Sequence, residues 1–197
     1  MATLHLVTGA PGSGKSTVLP HLAEHPFAAA DFDELLDADG SLMGTVVARP
    51  SASPLWPAYN RLWVRIIGMM LRGGGPVLVT CPLTPDEWAA AAAGAGDAPP
   101  VAWARLDCDD ADRRARLAAR GWGPDRVVDA IEDAHALRRL VDREFTTSGR
   151  GAAEVAADLA AWVATAKEPR SRHVERARRW GAVEDAEASH TQEKRHR

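Results

Sequence analysis

Between residues 9 and 16 the chain reads Gly-Ala-Pro-Gly-Ser-Gly-Lys-Ser, glycines closed by one lysine and one hydroxyl. Each residue type has a physical use in holding a phosphate chain. Glycines let the backbone turn tightly and aim successive amides at one anion. A helix starting directly afterwards turns its positive end toward the same point. Lys15 can reach the outer phosphates, the Ser16 hydroxyl can ligate magnesium, and Thr17 is placed for an inner phosphate. The stretch matches G-x-x-x-x-G-K-[ST] at every fixed position, with an apolar run before it and a helical pattern after it. Gly9, Ala10, Pro11, Gly12, Ser13, Gly14, Lys15, Ser16 and Thr17 are therefore expected to bind phosphate.

Two further constellations bear on the phosphate's fate. Asp31 and Asp33 stand at and just beyond the carboxyl end of a short apolar segment, Phe27 to Ala30, which is the ligand-binding edge of an open α/β sheet. In an extended segment they would point the same way. One could then hold magnesium-bound water while the other accepts a proton from an incoming hydroxyl. The competing reading is an acidic helix start, where carboxylates are favoured in any case. Later, DRRARLAARGWGPDR concentrates Arg113, Arg114, Arg116, Arg120 and Arg126. Mobile arginines can close over the charge that phosphoryl transfer spreads on equatorial oxygens. A solvated helix face paired with Asp109, Asp110 and Asp112 is the alternative. The devices of a hydrolytic motor are not visible. No carboxylate ends the segment VLVTCPLT, and a basic helix follows Asp107.

Strands alternating with helical patterns position these groups, which predicts a parallel sheet covered by helices. The expected strands are Thr3 to Thr8, Phe27 to Ala30, the segment after GGGP, VAWARLD, and a short fifth at EFTTSG. Helices are expected over Gly14 to Glu24, bent at Pro20, and over Pro54 to Arg72. Another follows the capping box of Thr84, Pro85 and Glu87. The basic segment ending at Gly121, the segment entered by Pro124 and Ala152 to Ala166 complete the set.

The length of 197 residues fits one domain, taken as 1–166, followed by a charged and flexible tail, 167–197, helical around Val174 to Trp180. Hydrophobic residues at 46% and charged residues at 26% are ordinary for a globular protein. A net charge of -3 gives no electrostatic reason to expect nucleic acid. No apolar run approaches the roughly 18 residues that span a bilayer. The start reads as a first strand rather than a signal peptide. Cys81 and Cys108 form neither a disulfide scaffold nor a metal spacing, consistent with a reducing cytoplasm. The abundance of Ala, Arg and Gly suggests a GC-rich bacterial genome.

The order of phosphate loop, strand-end Asp31-x-Asp33, Gly-rich turn into the third strand, Arg-rich helix and late Thr147-Ser148-Gly149 resembles the small P-loop kinases. Shikimate kinase, gluconate kinase and chloramphenicol phosphotransferase are forms that it resembles. The resemblance spans Thr3 to about Ala166. It implies a three-layer α/β P-loop fold, with a five-stranded parallel sheet of order 2-3-1-4-5 and helices on both faces. It further implies magnesium- and ATP-dependent transfer of a phosphoryl group to a hydroxyl of a small acceptor. By this resemblance Lys15, Asp33 and Arg120 are the catalytic residues, and Ser16 and Asp31 serve the metal. Arg116 binds nucleotide, Arg113 is available to stack on adenine, and TTSGR touches the base. A nucleotide-binding module acting through a partner, and a nucleic-acid-end kinase, are the alternatives. Neither the acceptor-binding pattern of shikimate kinase nor the long lid of adenylate kinase is present, so the acceptor is left open, as is the oligomeric state. His5 is expected to be a satisfied core histidine, Arg61 and Arg65 are possible acceptor contacts, and Cys81 is read as a small buried residue.

Overall fold

The computed structural model describes residues 3–38, 40–42, 44–46, 55–94 and 100–165. Five strands form one sheet: β1 (Leu4–Thr8), β2 (Ala28–Asp31), β5 (Val77–Cys81), β6 (Val101–Asp107) and β7 (Glu144–Thr146). Two short strands, β3 (Ser41–Leu42) and β4 (Thr45–Val46), pair separately as an antiparallel hairpin that the sequence reading did not anticipate. The sheet order is β2-β5-β1-β6-β7 and every pairing in it is parallel. Counting only its own strands along the chain, this is the expected 2-3-1-4-5. Because all strands run one way, Thr8, Asp31, Cys81, Asp107 and Thr146 reach the same edge of the sheet.

The central strands, LHLVT and VLVTC, are buried along their whole length and mainly apolar, because helices cover both of their faces. On one side α2 (Trp56–Leu71) and α3 (Pro85–Ala92) pack Tyr59, Trp63, Ile67 and Trp88 against Leu4, Leu6, Val77 and Val79. On the other, α1 (Lys15–Leu22) and α6 (Ala152–Thr165) pack Val18, Leu22, Val155 and Leu159 against Val7, Leu78 and Leu106. Each fully buried aliphatic side chain of this kind contributes about 1.5–3 kcal/mol, so the two apolar layers fix which edge of the sheet is left open. The remaining helices, α4 (Asp110–Ala119) and α5 (Pro124–Leu140), follow β6. The predicted capping box forms, with the Thr84 hydroxyl accepting from the Glu87 amide and the Glu87 carboxylate accepting from the Thr84 amide. No helix among the described residues is long and apolar enough to cross a membrane. The expected tail and its helix around Val174 to Trp180 lie outside the described residues.

His5 departs from expectation in one respect. It is fully buried and edge-on to Trp162, with ring centroids 4.8 Å apart. Neither ring nitrogen has a hydrogen-bond partner of acceptable geometry. Burial pushes its pKa below the ordinary 6.5. The unfolded chain then binds a proton that the folded chain refuses, so stability falls as pH drops below that value. Denaturant titrations at pH 5 and pH 8 should show this loss in the parent protein, and a much smaller loss in His5→Phe.

Candidate active site

The phosphate loop joins β1 to α1, and its backbone can be accounted for group by group. The Gly9 carbonyl accepts from Lys15 Nζ. The Ala10 carbonyl accepts from the Ser13 amide at 3.2 Å. Pro11 accepts from Arg113 at 2.5 Å, Gly12 from Arg116 at 3.1 Å, and Ser13 from Thr147 at 3.0 Å. The Gly14 carbonyl accepts from the amides of Thr17 and Val18. Every carbonyl from 9 to 14 is thus committed. The amides of Gly14, Lys15 and Ser16, by contrast, donate to no group among the described residues. Free donors are usual at a helix start, and three in succession after left-handed glycines form a nest for an anion. Gly12 and Gly14 have φ of 83° and 98°, the left-handed region that lets the peptides turn their N–H groups inward.

Lys15, Ser16, Asp33, Arg120 and Trp122 line one cleft of about 230 Å³ against this loop. A neighbouring cleft of about 430 Å³ is lined by Thr17, Val18, Arg116, Thr147, Arg150 and, again, Arg120. Arg120 ends α4, is exposed, and pairs with no carboxylate among the described residues. Burial depresses the pKa of Lys15, opposed by the nearby charges of Asp31 and Asp33. Burial raises the pKa of Asp33, as does Asp31, while Lys15 opposes. Cys81 is buried at the tip of β5 and its thiol is pushed up to about 12, an inert side chain as expected.

The acidic pair does not sit as predicted. Residues 32–35 form a 3₁₀ turn instead of an extended segment, so strand alternation does not set where the two carboxylates point. Asp31 caps the turn, accepting from the Asp33 amide at 2.8 Å, while its own amide donates to Glu34 at 2.8 Å. Its second oxygen accepts from Thr80 of β5. Asp31 is buried beneath the cleft, whereas Asp33 stands at its wall. Asp-x-x-Glu is itself a capping-box signature, the same one recognised at Thr84, and it would have predicted the turn. The turn is moored to α2: the Phe32 carbonyl accepts from both the Tyr59 hydroxyl and Trp63 Nε1, and the Phe32 ring stacks on Trp63 at 4.6 Å.

Other expectations are corrected. Arg113 cannot stack on a base, since it is fully buried and its guanidinium is held by Asp107 and the Pro11 carbonyl. Arg61 and Arg65 line a separate groove with Arg72 and Met69, and do not line the cleft that holds Asp33. Of the acids thought to pair with the lid arginines, Asp110 meets Arg138 and His135 of α5. Sequence reading missed the buried Asp107 with its arginines and the role of Thr147 behind the loop. Arg113 lies one turn before the buried Leu117, which places it on the inward face of α4. That spacing is the signal that separates it from Arg116 and Arg120.

For magnesium, Ser16 offers an exposed hydroxyl at the first turn of α1. Asp31 has both oxygens engaged by hydrogen bonds, so it fits the outer sphere, through water, and not direct ligation. This donor set suits magnesium, which keeps several waters and takes few protein ligands beside phosphate oxygens.

An open parallel sheet of this order, with a strand–loop–helix anion nest at its carboxyl edge, defines a P-loop α/β domain. The family model described as AAA domain matches residues 4–140. The chain belongs to that family. No curated protein matches it. Among solved structures it is similar to a sugar kinase from Janibacter sp. HTCC2649, with TM-score 0.58 and 17% identity over 84% of this chain and 96% of that one. Shikimate kinase from Acinetobacter baumannii, solved with shikimate, gives 0.58 and 15% over 86% and 97%. A gluconokinase from Sinorhizobium meliloti 1021 gives 0.52 and 20% over 83% and 91%. At these identities the likeness is one of fold.

Proposed function

We propose that the chain transfers the γ-phosphoryl group of ATP to a hydroxyl of a small molecule. The observation that carries this reading is the single cleft in which Lys15, Ser16, Asp33 and Arg120 meet beside three open amides. The kinases of sugar, shikimate and gluconate that share the fold support it. The amides and Lys15 hold the phosphate chain, and Lys15 follows the charge that builds on the outer oxygens. Asp33 orients the acceptor hydroxyl and receives its proton as the oxygen bonds to the γ-phosphorus. The bond to the bridging oxygen breaks and ADP leaves. Arg120, reaching both clefts, closes over the transferring group, and Arg116 with Thr17 lies on the nucleotide side. Magnesium, held by Ser16 and through water by Asp31, would neutralise charge on the phosphate oxygens.

The test is ADP formation scored across sugars, nucleosides, antibiotics and hydroxy acids. One acceptor should raise it well above the rate in water, and a flat response across the panel would defeat the reading. Arg120→Lys should then cost about 10- to 100-fold in kcat with little change in ATP affinity, because an ammonium cannot reproduce the guanidinium fork. Steady-state kinetics on that acceptor checks this, with Arg116→Lys expected to raise the KM for ATP instead.

A further inference from the structure

Beneath the phosphate loop lies an ion network that no part of the proposed reaction uses. Arg113 has no exposed surface. One arm of its guanidinium donates to the Pro11 carbonyl at 2.5 Å and the other to Asp107 Oδ1 at 2.5 Å. A Cβ built on Gly12 would meet Arg113 Cγ at 3.2 Å, so the loop rests directly on this side chain. Asp107, itself buried at the tip of β6, accepts at its other oxygen from Arg138 of α5 at 2.6 Å and at Oδ1 also from the Cys108 amide at 2.8 Å. Those arginines and that amide hold the Asp107 carboxyl below its ordinary value against the upward push of burial.

A buried arginine is costly unless its charge is paired and its donors are used. Here the pairing leaves one arm of the fork free for a single backbone oxygen of the phosphate loop, that of Pro11. We infer that Arg113 is a positioning residue for nucleotide phosphates. By fixing the Pro11 carbonyl outward, it holds the following peptides with their amides inward before any ligand arrives. Preorganised donors lose little freedom on binding, so the contribution falls on phosphate affinity and not on adenosine. The Asp107–Arg138 contact sets the guanidinium's plane. The inference rests on the phosphate-loop reading above but not on the identity of any acceptor.

The experiment is calorimetric titration of the full chain with ATP, ADP and adenosine, using Arg113→Lys, Arg113→Met and Asp107→Asn, alongside thermal melts. Arg113→Met should weaken ATP and ADP by more than tenfold and adenosine by less than twofold. Arg113→Lys, which keeps the charge but reaches only one of the two partners at a time, should fall between Arg113→Met and the parent. Asp107→Asn, which keeps shape and one acceptor, should also weaken ATP selectively if Arg113 must be aimed. An equal loss for all three ligands would mark a merely structural role and overturn the inference. So would a folded Arg113→Met that binds ATP as the parent does. If Arg113→Met does not fold, the Arg113→Lys series decides by the same comparison. Failure of the parent chain to bind ATP would instead sink the phosphate-loop reading itself.

Discussion

Asp33→Asn is expected to reduce acceptor-dependent phosphoryl transfer on the order of 10²–10⁴-fold, the range over which a positioned proton acceptor acts, while ATP affinity stays within about twofold of the parent. The backbone offers no reason for the variant to misfold. The turn is held by the Asp33 amide, the Asp31 carboxylate and the two donors on the Phe32 carbonyl, and none of these involves the Asp33 side chain. A nucleotide-binding module would be indifferent to the change. The pH profile adds a sign. Burial and Asp31 raise the Asp33 pKa above its ordinary 3.8, against the pull of Lys15. The base is competent when ionised, so kcat/KM should climb with pH through this raised value. The limb should vanish in Asp33→Asn. Initial rates across an acidic pH series, with nucleotide binding measured in parallel, decide the matter. An unchanged acid limb in the variant would remove Asp33 from the reaction.

Lys15→Met should lower kcat by roughly 10²–10³-fold, the scale of losing one preorganised donor to developing charge, and weaken ATP more than ADP. Stability should be equal to the parent's or higher, because the substitution removes a cation whose burial disfavours its charge. That combination separates loss of function from loss of fold. Burial lowers the Lys15 pKa from its ordinary 10.5, with Asp31 and Asp33 opposing. Arrival of the phosphate anion favours the ammonium again. ATP binding on the alkaline side should therefore be accompanied by proton uptake, visible as a dependence of the calorimetric enthalpy on buffer ionisation heat. The variant should lack that dependence.

The parts of the site that depend on neighbouring positions were legible in the sequence. The phosphate loop is eight contiguous residues, and the strand and helix around it are strongly patterned. The strand order followed from resemblance, and the parallel sheet from alternation. What was not legible depends on distance along the chain. Asp107 meets Arg113 six residues on and Arg138 thirty-one on, and nothing in composition distinguishes these arginines from a solvated helix face. Packing decides it. Residues 113 and 117 of α4 turn inward and are buried, whereas 116 and 120 share the face toward the clefts. The extended reading of Asp31 and Asp33 failed for another reason. Strand periodicity was carried one step past Asp31, where a side chain-to-backbone hydrogen bond had already begun a turn.

Phe32 shows which element holds the acidic turn in place. Its carbonyl ties the turn that carries Asp33 to Tyr59 and Trp63 of α2, and its ring stacks on Trp63. A change on that face of α2 should therefore be felt at the wall of the cleft, although no residue of the helix lines it.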